Sequence, residues 1–540
     1  MAIDPSQPAD NLVTWALSGT YDNTKPLLID AEEPSRHLTK ADIISVTARL
    51  AGLFDPGETI CLHLSNDILY PVLVLAILAS GCCWTGTNTA YLCNELRHHL
   101  ESSRTTTVIT SSENLAVVQA AVQLCSRPVQ IVLLSDAAFF GSSKRDSGNR
   151  PHIDIDSTVE RIEDLLHDQK LSTISLSDRL KKVAGDSAAT IMSTSGTTGL
   201  PKMVQRSHRA LICETKAIED NNSAKGYPVR RLYCTPIFHA FSFPEMVVNT
   251  IRLGHPSYYM GRFDDTFTRK IHDFQITESM VVPTMLSRLA QQAAGDDDTR
   301  RNIQSLQMVL CAGAPLSAAV RATFLRKFDH VVRVVQVWGM SEGGWFSTFQ
   351  HPEIDETGSV GRPVPSFEVR VDSDTIVELA DGSLAGELLV KSPQLMRQYL
   401  GNGKATEESF GQDGWLRSGD IGFLRDGKVY LVDRAKDIIK VNGWTVSPAE
   451  LEATVLEHLQ VLDVATLSLG EGQDEHPLVL VVAKPQVNLE QQEIKEHLLN
   501  RLARYKVATA EVKFITSIPR NPSGKILRRM LKEQVESGNI

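Results

Sequence analysis

No run of apolar residues in this sequence is long enough to cross a bilayer. The most apolar stretch, residues 68–79, is short and carries Pro71, whereas a spanning helix needs about 20 apolar residues. It reads as a buried helix. Basic charge is also scarce: 55 Lys and Arg stand against 65 Asp and Glu, a formal net charge of -10. That balance argues against a nucleic-acid partner or an anionic membrane surface. The eight cysteines all lie between Cys61 and Cys311 with no CxxC pair. They predict reduced thiols in a cytoplasmic protein, not a disulfide framework. The first residues lack a basic segment followed by an apolar run, so no signal peptide is expected. The last four, Ser537-Gly538-Asn539-Ile540, do not form the simple peroxisomal tripeptide. No internal repeat is visible.

What is present is a chain of 540 residues with ordinary globular composition, 42% hydrophobic and 22% charged. At roughly 150 residues per domain it should hold three or four structural units. Up to about residue 130, apolar runs (59–64, 107–109) alternate with helical patterns, which predicts an α/β arrangement with a largely parallel sheet. Residues 141–151 and 294–301 read as surface loops. The character changes near residue 433. Residues 423–432 read as a hairpin turning at Asp426-Gly427. Ser447-Pro448-Ala449-Glu450 has the form of a capping box with proline at the first helical position. A helix over 448–458, strands near 461–469 and 478–483, and a helix over 489–502 complete a separate α+β unit of roughly 100 residues.

The segment Ser193-Thr194-Ser195-Gly196-Thr197-Thr198-Gly199-Leu200-Pro201-Lys202 lies between two expected strands, 188–192 and 203–205. Hydroxyls, glycine-permitted backbone N–H groups and one lysine suit a phosphate chain. It is not a Walker A loop, which needs Gly before its Lys and Ser or Thr after it; here Pro201 precedes and Met203 follows Lys202.

With further segments in the same order, this loop resembles the acyl-adenylate-forming superfamily: acyl-CoA synthetases, 4-coumarate–CoA ligases, beetle luciferases and peptide-synthetase adenylation domains. The others are Pro236-Ile237-Phe238-His239-Ala240, Gln336-Val337-Trp338-Gly339-Met340-Ser341-Glu342, Gly414-Trp415-Leu416-Arg417-Ser418-Gly419-Asp420, Asp433-Arg434-Ala435-Lys436-Asp437, Lys440-Val441-Asn442-Gly443 and Pro519-Arg520-Asn521-Pro522-Ser523-Gly524-Lys525. The resemblance implies a large N-terminal α/β domain (1–433, layered α/β subdomains plus a small β subdomain) and a mobile α+β C-terminal lid (434–540) hinged near Lys436. It also implies ATP, Mg²⁺ and coenzyme A as partners in the chemistry.

By the same resemblance, Glu342 is the Mg²⁺ ligand, since that ion binds through few carboxylates plus phosphate oxygens. Trp338 stands where the family packs a tyrosine on adenine. Asp420 and Arg434 are ribose ligands, and Gly313, Ala314, Gln336, Gly339 and Ser341 are further nucleotide-binding candidates. Lys525, on its own a solvated lysine beside a basic helix, becomes the cation that lets a carboxylate approach the α-phosphate. His239 takes the place of a gate between acyl pocket and pantetheine channel, Gly443 lines that channel, and Lys440 is a third catalytic candidate.

Several positions depart from the family pattern. Met203 replaces a glycine, Ser341 and Ser418 replace threonines, and Thr445 stands where plant coumarate ligases carry a catalytic glutamine. Amino-acid-activating relatives place an aspartate at the position of His239, and a desolvated ammonium without one would be costly. An α-amino acid substrate is therefore not expected. The pocket implied by residues 238–243, 281–283, 312–314, 337 and 343–346 is apolar and aromatic. It suggests an aryl, arylalkanoic or short- to medium-chain acid. Four readings remain open at this point: an acyl-CoA ligase, an adenylating enzyme that loads a carrier protein, a luciferase-like oxidase, and a non-catalytic nucleotide-binding protein. The oligomeric state is not legible.

Overall fold

The computed structural model describes residues 10–140, 159–167, 174–194, 201–219, 224–293, 297–331, 333–379, 383–411, 413–441, 444–470, 475–521 and 524–540. Two large sheets dominate its first part. One has the strand order Gln398–Tyr399, Met203–Ser207, Ala188–Ser193, Cys83–Gly86, Thr59–His63, Thr107–Thr110, Gln130–Leu133, Val159–Arg161. Pairing is parallel from Ala188–Ser193 to Val159–Arg161 and antiparallel at the other edge. Every residue of the central strand Thr59–His63 is buried, as expected of a parallel strand covered on both faces. The second sheet runs Arg333–Gln336, Met308–Cys311, Glu278–Val281, Arg231–Tyr233, Ser257–Tyr259, Pro26–Asp30, His37–Thr39, with only the last pair antiparallel.

The apolar stretch is the helix Leu69–Ala79, all of it buried, packed on helix Lys40–Leu50, strand Cys83–Gly86 and the π-helical turn Pro244–Asn249. Pro71 is tolerated because it falls in the first turn, where backbone N–H groups have no helical acceptor. No helix among the described residues is long and apolar enough to cross a membrane.

A smaller antiparallel unit follows, with strands Glu368–Val371, Leu384–Lys391, Leu416–Arg425 and Lys428–Arg434 in spatial order. Its last two strands are the expected hairpin: Asp426 and Gly427 both take positive φ, 53° and 72°, the conformation a two-residue turn requires. Beyond it lies the C-terminal domain. A three-stranded sheet, Val461–Leu469, His476–Ala483 and Glu511–Phe514, is flanked by helices Pro448–Leu456, Gln491–Leu499 and Arg528–Glu536. Two hydrophobic clusters there are built wholly from residues after 438.

Two local expectations change. The second expected loop holds a short helix, Asp297–Asn302, because its acidic start and basic end suit a helix dipole. The first, residues 141–151, lies outside the described residues. The capping box is half made: Ser447 accepts from the Glu450 N–H, but the Glu450 carboxylate binds Lys506 Nζ at 2.6 and 2.5 Å. A buried ammonium competes better for a carboxylate than a backbone N–H does.

Candidate active site

A cavity of about 1620 Å³ takes its wall from both large sheets, the antiparallel unit and the C-terminal domain. Thr194, Lys202, His239, Gly313, Ala314, Gln336, Trp338, Gly339, Ser341, Glu342, Asp420, Arg434 and Lys525 all line it. The structure thus brings together residues spread over more than three hundred positions of chain.

The ends of the hydroxyl-rich loop are pinned by two bonds. Thr194 N–H donates to Lys202 O at 2.9 Å, and Lys202 N–H donates to Thr194 Oγ1 at 3.0 Å. Ser195, Gly196, Thr197, Thr198 and Gly199 lie outside the described residues. Lys202 Nζ sits 4.6 Å above the Tyr399 ring, and the Tyr399 hydroxyl donates to Glu342 Oε1 at 2.6 Å. Glu342 is buried. Burial raises its carboxyl above the usual range, against the Tyr399 bond and the charges of Arg434 and Lys202. Nothing in the Gln398-Tyr399 dipeptide marks this role: Tyr399 reaches Glu342 only because its strand pairs at the sheet edge with Met203–Ser207.

Asp420 is held from two sides. Trp338 Nε1 donates to Oδ2 at 2.8 Å, and Arg434 Nε approaches Oδ1 at 2.7 Å. Hairpin register sets the second contact, since Asp420 and Arg434 face each other across the strands. Trp338 is 4% exposed and meets the Phe346 ring edge-on at 5.1 Å. A buried indole needs an acceptor for its N–H, and here that acceptor is the carboxylate.

Lys525 enters from the C-terminal domain on a tight turn. Its N–H donates to Asn521 Oδ1 at 2.9 Å, while its carbonyl accepts from Asn521 N–H at 2.9 Å. Gly524 has φ +80°, and a Cβ there would lie 3.2 Å from Val282 Cγ2 and 3.4 Å from Thr284 Oγ1. Glycine therefore lets the turn close against the large domain. Burial first, then the neighbouring charges of Arg434 and Lys436, push the Lys525 ammonium down to about 8, with Asp420 and Asp437 opposing. The same charge reaches His239, which burial and Lys525 together push down to about 4. His239 is neutral at pH 7. Its Nδ1 accepts from Phe241 N–H at 3.3 Å, so the neutral ring carries its proton on Nε2.

The remaining candidates are less complete. Lys436 sits in a turn closed by Asp437 N–H to Arg434 O at 3.0 Å; burial lowers its ammonium. It acts on Lys525 by charge without lining the cavity. Lys440 is described only as a backbone position in the strand Ile439–Val441, and Gly443 lies outside the described residues. Asp433, which its motif carries with no expected role, caps the helix Pro448–Leu456: Oδ2 accepts from Ser447 Oγ at 2.5 Å and from Ala449 N–H at 2.8 Å.

Fewer of the expected acid-pocket residues line the cavity than the sequence suggested. Phe238, His239, Ala240, Phe241, Pro283, Ala312 and Trp345 line the cavity, but Phe243 and Phe346 do not. Phe346 packs on Trp338 and Phe367 instead. Successive side chains of a strand point to opposite faces, so Trp345 and Phe346 cannot both form its wall. The Phe241 and Trp345 rings stack at 5.6 Å and 26°.

Known proteins resemble the chain over nearly all of its length. Residues 40–400 match the AMP-binding enzyme family, and residues 450–525 match the AMP-binding enzyme C-terminal domain. An acyl-CoA ligase of Phoma sp., M9, is 52% identical over 99% of this chain and 98% of its own length. A phenylacetyl-CoA ligase of Aspergillus niger, epaB, is 32% identical over 98% of this chain and 97% of its own. In fold, the chain is similar to the anthranilate CoA ligase AuaEII in complex with anthranoyl-AMP, with a TM-score of 0.83, 20% identity and 100% of both chains covered. With two matched domains, full-length relatives and one cavity uniting the expected side chains, the chain belongs to the AMP-binding enzyme family.

Proposed function

We propose that the chain is an ATP-dependent acyl-CoA ligase (AMP-forming) for an aryl or arylalkanoic acid. One observation carries the reading: Lys525 of the C-terminal domain lies among Arg434, Asp420 and His239, in the same cavity as Thr194 and Lys202. The acid lies along Phe241 and Trp345, whose stacked rings favour a flat substrate over a thin aliphatic one. Its carboxylate attacks the α-phosphorus of ATP, a P–O bond to pyrophosphate breaks, and acyl-AMP remains. Lys525 bridges the two anions during that attack. Asp420, oriented by Trp338 and Arg434, accepts from the ribose hydroxyls. The thiol of coenzyme A then attacks the acyl carbon and AMP leaves, with neutral His239 between the acid pocket and the thiol's path.

Glu342 would hold Mg²⁺. A single buried carboxylate beside the phosphate loop fits an ion that takes its other ligands from phosphate and water, and a cation would offset the burial that raises this carboxyl. When bound, Mg²⁺ neutralises charge on the phosphate chain. The eight free cysteines support a reducing compartment, the cytoplasm. We place the domain boundary at 433/434 with the pivot at Lys436.

The test is pyrophosphate release from ATP and Mg²⁺ across a panel of carboxylic acids, followed by the mass of the thioester formed with coenzyme A. Release with aryl acids and a coenzyme A thioester are expected. Release without that thioester, rescued by a carrier protein, would favour carrier loading instead; no release with any acid would reject ligation.

A further inference from the structure

Behind the acid pocket lies a buried ion pair that the chemistry above does not use. Arg206 Nη1 meets Glu214 Oε2 at 2.8 Å, both side chains 1% exposed. Arg206 lies on strand Met203–Ser207 and Glu214 on the helix His208–Ala217 that follows it. Taking two charges out of water is costly, and the pair's other contacts all lead to one place.

The free oxygen of the carboxylate, Glu214 Oε1, accepts from the Trp345 backbone N–H at 3.0 Å. Arg206 Nε donates to Gln394 O at 3.1 Å, and the Gln394 side-chain amide reaches Gly343 O and Trp345 O at 3.4 and 3.5 Å. One guanidinium therefore ties together the groups that hold both the N–H and the carbonyls of the pocket wall. Gly344 has φ +75°, and a Cβ on it would lie 1.9 Å from Glu214 Oε1. The backbone could not come so close to the carboxylate with any other residue there.

From Trp345 the chain of contacts continues into the site. Its indole N–H donates to Phe241 O at 3.0 Å, the two rings stack, and the Phe241 N–H donates to His239. Cutting this chain at Glu214 leaves the Trp345 N–H buried without an acceptor and frees the wall to shift.

We propose that Glu214, charge-balanced by Arg206, is the positioning residue that fixes the Trp345–Phe241 wall and thereby selects acids with a planar ring. The proposal rests on the acyl-acid reading of this cavity. Glu214 touches neither substrate nor reacting atoms; it acts through the backbone of Gly344 and Trp345.

Removing either charge alone would strand the other, so the test removes both. Arg206→Met/Glu214→Gln keeps an acceptor for the Trp345 N–H, and Arg206→Met/Glu214→Leu does not. Both lack the guanidinium, so their difference isolates that acceptor. Replacing a buried ion pair by apolar groups is often neutral for stability, and melting profiles confirm folding. ATP–pyrophosphate exchange is measured with phenylacetate and hexanoate as probe acids, together with hydrogen exchange of the peptide that spans residues 343–347. The glutamine variant should keep the wild-type ratio of kcat/KM for the two acids within about threefold and keep the amide protected. The leucine variant should lose about tenfold of the ratio, the scale of one buried hydrogen bond, and lose protection, with KM for ATP unchanged in both. Equal ratios in the two variants, or a protected amide in the leucine variant, overturns the proposal. Wild-type enzyme without exchange on any acid fails the acyl-acid reading instead, and the amide protection then still decides whether Glu214 holds the wall.

Discussion

The Trp338 indole N–H and the Asp420 carboxylate are bonded to each other, 2.8 Å from Nε1 to Oδ2. The candidate adenine face and the candidate ribose ligand are therefore one unit, with Arg434 closing it from the far side. Trp338→Phe keeps an aromatic face and removes only the donor. Losing a hydrogen bond to a charged group costs about 1.5–3 kcal/mol, so KM for ATP should rise about tenfold or more while the order of preferred acids stays the same. Trp338→Ala should be worse. Steady-state kinetics on two acids checks this, and a changed acid order would assign Trp338 to the acid pocket.

Lys525→Ala should slow adenylation by about 10²–10³-fold or more, as loss of a principal transition-state donor does, and leave thioester formation from preformed acyl-AMP within a few-fold. Equal loss in both half-reactions would defeat the assignment. The amine's depressed value adds a pH signature. The cation is the working form, and it is lost as pH rises through about 8. The kcat/KM for adenylation should therefore fall above that pH in the wild type, and the fall should move to higher pH in Lys525→Arg.

Lys436→Pro tests the pivot. Proline fixes φ and removes a backbone donor, so the C-terminal domain would be restricted while the ATP-binding face of the large domain stays intact. Adenylation should survive in part and thioester formation should drop much further, the inverse of Lys525→Ala. Single-turnover assays of each half-reaction, on protein shown to be folded, decide it. Unchanged thioester formation would remove Lys436 as the pivot of the mobile lid.

Acid should loosen the fold through its buried imidazoles. Burial pushes His63 and His208 down to about 4 and His99 to about 3, from 6.5, and all three are at most 2% exposed. Between those values and 6.5 the unfolded chain holds more protons than the native one, so stability falls as pH drops through that window. At about 1.4 kcal/mol per unit, each contributes a loss on the order of 3 kcal/mol by pH 4. Chemical denaturation at pH 7 and pH 5 measures the slope, and His63→Gln should reduce it; an unchanged slope would exclude His63 as a contributor.

Local rules served well where a residue's neighbours in space are its neighbours in sequence. The Asp426-Gly427 turn, the strand Val461–Leu469 and the buried helix at Leu69 follow from backbone preference and hydrophobic runs. Thr194, Lys202, His239, Trp338, Glu342, Asp420, Arg434 and Lys525 line one cavity because the spacing of their motifs carries the family's whole architecture. Contacts decided by distant partners were not legible. Lys506 takes Glu450 from its expected cap, the edge strand at Tyr399 brings a phenol to Glu342, and strand alternation turns Phe346 into the core. Arg206 and Glu214 belong to no motif in the sequence, and nothing near them announces that their helix and strand are covered.

The helix Leu69–Ala79, buried on every side, also constrains how the chain can be made. It has no polar face to leave at a water boundary, and one of its covering elements, the turn Pro244–Asn249, is synthesised long after it. During that interval on the ribosome the side that turn covers is an exposed adhesive surface, a natural target for chaperones and for self-association. Fragments that stop before Pro244 would leave that side uncovered, so dissecting this enzyme into shorter working pieces has to begin downstream of that turn.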